Sequence, residues 1–202
     1  SLFALAFLPM FGIGGLTGLP LGLSAPDIYL HDTYYVIGHF HYVVAPGSIF
    51  ALFAGIYYWF PKATGRMMNV TLGKIHFWLS LIFINGIFMP MLIQGMAGVS
   101  RRLYDQTFYS HGAAVQDLTV FISSSAWLLG VTQLLFIFNF FWSMRHGKKV
   151  ESDNPWQATT LEWATPTPPP HGNFDTPPQV YRGPYEYSVP GAATDFCPQD
   201  ES

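Results

Sequence analysis

TYYVIGHFHYVVAPGSIFALFAGIYYWFP, residues 33–61, runs for 29 residues between Asp32 and Lys62 without a single Asp, Glu, Lys or Arg. About 20 mostly apolar residues cross a hydrocarbon core, so this run is long enough for a transmembrane helix. Three further stretches, residues 1–26, 75–100 and 118–144, are equally free of charged side chains. Only 10% of the 202 residues are charged, against about 25% in an ordinary soluble domain. Nine of the charged residues fall in 1–144 and twelve in 145–202. This distribution excludes a soluble globular domain and predicts an all-α, polytopic membrane helical bundle. Its four transmembrane helices are expected over about 2–23, 33–60, 72–98 and 116–143.

Other classes fall away on composition. The high apolar fraction excludes disorder, no fixed-period repeat is visible, and Cys197 stands alone, so there is no disulfide scaffold. A net charge of −3 gives no case for nucleic-acid binding. Residues 1–23 lack the basic flank of a signal peptide, and Pro9 and several glycines interrupt them, so they read as a membrane helix. Ser1 opens directly into apolar sequence, so the chain is expected to be truncated, processed or split. Pro90 lies inside the third span, where a packing kink is expected. Ten of the sixteen prolines fall after residue 144. The expected division is therefore 1–144 as the membrane region and 145–202 as a Pro-rich irregular tail, partly docked or disordered.

Lys62, Arg66 and Lys74 follow the second span, and Arg145, Lys148 and Lys149 follow the fourth, whereas the first-to-second connection has no Lys or Arg. The positive-inside bias places both termini in the cytoplasm, or in the matrix of a mitochondrion. Arg101-Arg102 is the exception, on the opposite face.

Three of the seven histidines lie within His31-Asp32-Thr33-Tyr34-Tyr35-Val36-Ile37-Gly38-His39-Phe40-His41. Counted from Asp32 at about 1.5 Å per residue, His39 and His41 sit roughly a third of the way into the hydrocarbon core. Ionisable side chains at that depth mark functional sites. Two residues apart on a helix, they point about 200° from each other, which argues against one shared metal and for two separate centres. Two planar cofactors flanking the helix, each taking one imidazole as an axial ligand, satisfy that geometry. The competing reading is a pair of hydrogen-bonded packing histidines. On the outer face, His31 and Asp32 read either as a helix start or, beside Arg101 and Arg102, as part of a carboxylate-clamping cluster over the cofactors. A solvated or headgroup-facing arginine pair is the alternative. His76, expected near the inner interface, and His111, His146 and His171 are assigned no metal. Tyr34, Tyr35 and Tyr57-Tyr58-Trp59 fit interfacial aromatic belts.

Several separated motifs occur in order: FGIGGLTG (11–18), HDTYYVIGHFHYVV (31–44), WFPKATGR (59–66), GKIHFW (73–78), GVSRR (98–102) and TLEWATPTPPP (160–170). Together they resemble the carboxy-terminal third of subunit I of the haem-copper oxidases, up to about Phe174. The resemblance implies that the four spans are the last four of a twelve-helix subunit. It implies that His39 ligates the high-spin, oxygen-binding haem iron and His41 the low-spin haem iron, with Phe40 between the haem edges. His31 and Asp32 would be magnesium ligands, and Arg101 and Arg102 would bind the haem propionates. The implied activity is electron transfer from cytochrome c to oxygen, reduced to water, with proton pumping. The implied cofactors are two haems of type A, magnesium, and copper in the complete subunit.

The three copper-ligand histidines of that family, its cross-linked tyrosine and its second low-spin axial histidine have no counterpart in these 202 residues. The chain is therefore expected to be a fragment of a longer subunit or one piece of a split one, unable to reduce oxygen alone. Leu103-Tyr104-Asp105 departs from the family pattern after the arginine pair, so no sodium or calcium site is carried over. Asp32-Thr33-Tyr34-Tyr35 favours the cytochrome c oxidase branch over quinol oxidases. A quinol-oxidising or nitric-oxide-reducing relative, and a non-redox membrane transport subunit, are the alternatives. Partners implied are the amino-terminal remainder of subunit I, subunits II and III, cytochrome c, oxygen and membrane lipid. APGSIF (45–50) and LEWATPTPPPHGNF (161–174) resemble bacterial members, which implies the bacterial cytoplasmic membrane, with the mitochondrial inner membrane as the alternative.

Overall fold

The computed structural model describes residues 1–186, 188, 190, 191 and 196–201; tail positions 187, 189, 192–195 and 202 lie outside the described residues. Among the described residues six α-helices follow in order: α1 Leu2–Leu21, α2 Ser24–Leu30, α3 Tyr34–Thr64, α4 Val70–Met96, α5 Ser110–Ala113 and α6 Gln116–His146. Two short 3-10 turns, Gln106–Phe108 and Leu161–Trp163, complete the helical content. Among the described residues the only β pairing is two isolated bridges, Thr33 with Ser100 and Arg66 with Lys149. Four helices, α1, α3, α4 and α6, are long and apolar enough to cross a membrane. They match the four charge-free runs and give the expected all-α membrane bundle.

The ends differ from the expected spans by up to four residues, because backbone geometry and not apolarity stops each helix. α3 continues past Phe60 until Gly65, whose φ of 68° supplies a left-handed cap, with its N–H on the Pro61 carbonyl at 2.8 Å. α4 stops at Met96, where Gly98 takes φ 84° and the Val99 N–H reaches back to the Gln94 carbonyl. α4 runs on through Pro90 without a break in its helical assignment. At 31 residues, α3 and α6 are each about 46 Å long and exceed the hydrocarbon thickness.

The chain divides into two units, Ser1–Ile56 with Val70–Asn139, and Tyr57–Asn69 with Phe140–Ser202. In the first, Phe3 packs against Phe50, Phe53, His76 and Phe77 at ring separations of 5.1–5.3 Å. His76 is fully buried in this aromatic cluster, 3.2 Å from Gln133 Oε1. Tyr42 donates to Asn85 Oδ1 at 2.8 Å, satisfying a buried hydroxyl. Small residues let helices approach: a Cβ at Gly38 would lie 2.9 Å from Leu92 Cδ2, and one at Gly95 only 2.0 Å from Tyr35 N. Tyr35 is consequently buried against α4, whereas the belt reading placed its tip in water.

In the second unit the tail is docked. Lys62, near the end of α3, is buried and donates from Nζ to the carbonyls of Asp153 (2.8 Å) and Thr165 (2.6 Å), with the Trp163 ring 5.2 Å away. Tyr58 packs edge-on to Trp163 at 5.1 Å, and Trp156 Nε1 donates to the Tyr58 carbonyl. Gln199 ties the far end back, accepting from Tyr181 N and Leu161 N and donating to the Thr159 and Arg182 carbonyls. Proline-rich sequence without periodicity thus still orders, because hydrogen bonds and aromatic contacts substitute for secondary structure. A Lys62→Met variant leaves the buried Thr165 carbonyl without its donor, at about 1–3 kcal/mol, while the exposed Asp153 carbonyl keeps Thr167 Oγ1. Proteinase K is expected to cut residues 150–175 of that variant while the wild-type segment resists, and equal resistance would show that the lysine does not hold the tail.

Candidate functional site

Thr33 starts α3. Its Oγ1 accepts from the Tyr35 N–H at 3.2 Å and donates to the Leu30 carbonyl at 2.7 Å, the pattern of an N-cap that also fastens the preceding turn. From that start, His39, Phe40 and His41 fall on the second turn of α3, and the two imidazoles diverge as the helical angle requires. His39 leans on α1: its Nδ1 lies 2.8 Å from the Gly14 carbonyl and 3.3 Å from Thr17 Oγ1. His41 turns the other way, stacking on Phe88 of α4 at 4.9 Å, with its Nδ1 2.8 Å from the Ile37 carbonyl. Phe40 projects between them, 41% exposed, its ring 4.1 Å from that of His41.

A carbonyl only accepts, so Nδ1 carries the proton in both imidazoles, and Nε2 keeps its lone pair. Among the described residues neither Nε2 has a hydrogen-bond partner. Nδ1–H on a carbonyl with Nε2 turned outward is the donor state that a metal takes, because the carbonyl fixes the tautomer and ring orientation. Both histidines are half-buried on an apolar helix. These residues fit axial ligation of haem iron. The sequence reading missed the α1 side of the arrangement. Gly14 supplies the carbonyl, and a Cβ at Gly18 would come within 2.7 Å of His39 Cε1. The G-x-x-x-G spacing of Gly14 and Gly18, a close-packing signal in membrane helices, was available to find them.

On the outer side, the Thr33–Ser100 bridge joins the start of α3 to the loop after α4. The Tyr34 N–H bonds the Val99 carbonyl at 3.0 Å, and the Arg101 N–H bonds the Asp32 carbonyl at 2.9 Å. The structure therefore brings His31, Asp32 and Arg101 together. Arg101 grips Asp32 Oδ1 through Nε at 2.6 Å and through a terminal guanidinium nitrogen at 2.5 Å, while His31 Nε2 lies 3.5 Å from Oδ2. The Arg101 hydrogen bond holds the Asp32 carboxyl below the usual carboxylate range. Asp32 and Arg102 both take left-handed backbone, φ 56° and 67°, uncommon for such side chains and worth 1–3 kcal/mol each in order of magnitude. Arg102 is exposed and makes no ion pair among the described residues. Asp32 is engaged by Arg101, so His31 and Asp32 offer a divalent cation two donors at most. Among the described residues no group of three or more His, Cys, Asp or Glu side chains gathers around a point.

The chain is similar to known proteins. Residues 1–128 match the family model described as cytochrome c and quinol oxidase polypeptide I. The chain is 47% identical over 205 residues to the alternative cytochrome c oxidase subunit 1 of Bradyrhizobium diazoefficiens, covering 99% of this chain and 34% of that protein. It is 47% identical over 190 residues to cytochrome c oxidase subunit 1 of a Synechocystis species, covering 93% and 33%. Against the corresponding protein of Corynebacterium diphtheriae the identity is 41% over 177 residues, covering 87% and 31%. The fold is similar to that of a solved haem-copper terminal oxidase dimer, with TM-score 0.61 at 22% identity, over 74% of this chain and 27% of that one. The chain spans about a third of the length of the curated relatives it matches. With four membrane helices, an oxidase fold and a family match across its first 128 residues, the chain belongs to the cytochrome c and quinol oxidase polypeptide I family.

Proposed function

We propose that this chain is the part of a terminal oxidase catalytic subunit that gives one axial imidazole to each of two haems. The complete enzyme passes electrons from cytochrome c to oxygen, reduced to water, with proton pumping. The observation that carries this reading is the pair of divergent histidines on α3, each with Nδ1 on a carbonyl and Nε2 without a partner among the described residues. Bound haem supplies one-electron carriers and an oxygen-binding iron, chemistry that no side chain provides.

His39 Nε2 is assigned to the high-spin, oxygen-binding haem and His41 Nε2 to the low-spin haem, both of type A. The carbonyls of Gly14 and Ile37 orient these two rings and raise their basicity. Phe40 occupies the helix surface between them and keeps water from it. Arg102, without an ion-pair partner, is the stronger candidate for a haem propionate. Arg101 reaches one only while it also holds Asp32. His31 and Asp32 Oδ2 supply two of the six positions magnesium fills, the rest coming from water or another chain. Residues 1–144 form the membrane part and 145–202 the inner-side tail, with both termini on the cytoplasmic face of a bacterial membrane. The partners are the remainder of subunit I, which brings copper, and subunits II and III.

Oxygen uptake by the complete enzyme tests this reading. Turnover with reduced cytochrome c is expected, without turnover on quinol or nitric oxide. Preference for quinol or nitric oxide would move the chain to a sister activity. A colourless purified subunit, negative in a pyridine haemochrome assay, would favour a non-redox transport role.

A further inference from the structure

Arg66 and Lys149 face each other across an antiparallel bridge in the second unit. The bridge is fixed on either side by the Met67 N–H on the Lys148 carbonyl (2.8 Å) and the Val150 N–H on the Gly65 carbonyl (3.0 Å). Residues directly opposite in such a pair put their side chains on the same face, and two like charges there repel. Among the described residues no carboxylate pairs with either side chain. Glu151, the nearest acid in sequence, is bound to Lys148 at 2.6 Å, and among the described residues no other carboxylate forms an ion pair in this unit. Arg66 gives one N–H to the Gly147 carbonyl at 2.8 Å, which anchors its guanidinium and leaves its remaining donors without a partner among the described residues. Two cations on one face, one of them anchored, without a counter-ion among the described residues, are a site for an anion.

Location identifies the anion. Arg66 stands two residues beyond the end of α3, and Lys149 three beyond the end of α6. Just inside the α6 end, Trp142 is 50% exposed and stacks on His146 at 4.4 Å, and Trp59 near the α3 end is also 50% exposed. Half-exposed tryptophans mark the headgroup level of a bilayer. Arg145 adds a further exposed cation at the same helix end. The abundant anion at that depth is a phospholipid phosphate, and basic clusters beside a membrane helix attract anionic lipid. We propose that the Arg66–Lys149 bridge, just beyond the ends of α3 and α6, holds the headgroup of an anionic phospholipid. The site depends on the membrane placement of α3 and α6 and not on the haem assignment.

The test uses the complete subunit in nanodiscs of phosphatidylcholine doped with phosphatidylglycerol, with retained lipid counted by mass spectrometry. The double variant Arg66→Gln with Lys149→Gln is expected to weaken phosphatidylglycerol retention by roughly 30-fold, the effect of two basic groups at an anionic surface. The double variant Lys148→Gln with Glu151→Gln serves as control and leaves retention unchanged, because it removes an ion pair without changing the net charge. Lys149→Gln alone, on an exposed side chain, reads a roughly fivefold share of the loss if the double variant fails to fold. Equal phosphatidylglycerol retention by wild type and variants overturns the proposal. So does displacement of the lipid by millimolar inorganic phosphate, which would mark a site for the free ion.

Discussion

Replacing His41 by leucine in the complete subunit is expected to abolish the low-spin haem absorption bands while leaving the four membrane helices intact. Among the described residues the imidazole makes no hydrogen bond outside its own helix: Nδ1 bonds the Ile37 carbonyl four residues back, and the ring rests on Phe88 and Phe40. Leucine fills much of that volume on an apolar face, so the structural cost is limited to one intrahelical hydrogen bond and a stacking contact, about 1–2 kcal/mol. A packing histidine and an axial ligand therefore part company in the spectrum. The first loses a little stability and keeps its bands; the second loses the bands outright. Reduced-minus-oxidised spectra of the variant decide it, and bands surviving at full intensity would overturn the ligand assignment. A His41→Gly variant supplied with imidazole offers a second readout, since recovery of the bands requires a nitrogen donor at that position and not merely bulk.

Gly95→Ala is expected to be the most damaging small substitution in the bundle, costing on the order of 3 kcal/mol or more. A Cβ there would lie 2.0 Å from Tyr35 N and 2.4 Å from Tyr35 Cα. These are backbone atoms, so no side-chain rotation relieves the overlap, and α4 must move away from the start of α3. That start carries Thr33, the cap of the helix that presents His39 and His41, and the loop after α4 carries Arg101. A shift at Gly95 thus disturbs both sides of the site at once. Thermal melts of the complete subunit followed by circular dichroism, with haem content measured in parallel, are expected to show a lower melting temperature and reduced haem loading. A melt and haem content equal to wild type would show that Gly95 does not set the approach of α4 to the start of α3.

The two substitutions differ in how far the sequence alone leads to them. His41 is legible because a titratable side chain in a 29-residue charge-free run is conspicuous, and because helical geometry turns the two-residue spacing into opposite directions. Gly95 is one of 19 glycines, and nothing in its neighbours separates it from Gly12 or Gly15, where an added Cβ would meet nothing within 4 Å. Which glycine is indispensable depends on what approaches it, and that approach is made by residues 60 positions away in the chain. The tail shows the same limit. LEWATPTPPP has no hydrophobic period, so sequence reasoning left it irregular. Its order comes from a buried lysine on α3 and from Gln199, contacts without a local signature.

Taken by itself, the sequence determined the class of the molecule, its four membrane helices, and the residues able to ligate metal inside them. It could do so because length, apolarity and the 100° helical step are local properties that a bilayer enforces without help from tertiary contacts. Only the tertiary structure decided how those residues are held. It set the Gly14 carbonyl that fixes His39, the grip of Arg101 on Asp32 in place of a free arginine pair, the burial of His76 and Tyr35, and the bridge that sets Arg66 against Lys149. Each of these joins segments distant in sequence, and such pairings are fixed by close packing and hydrogen-bond satisfaction in three dimensions.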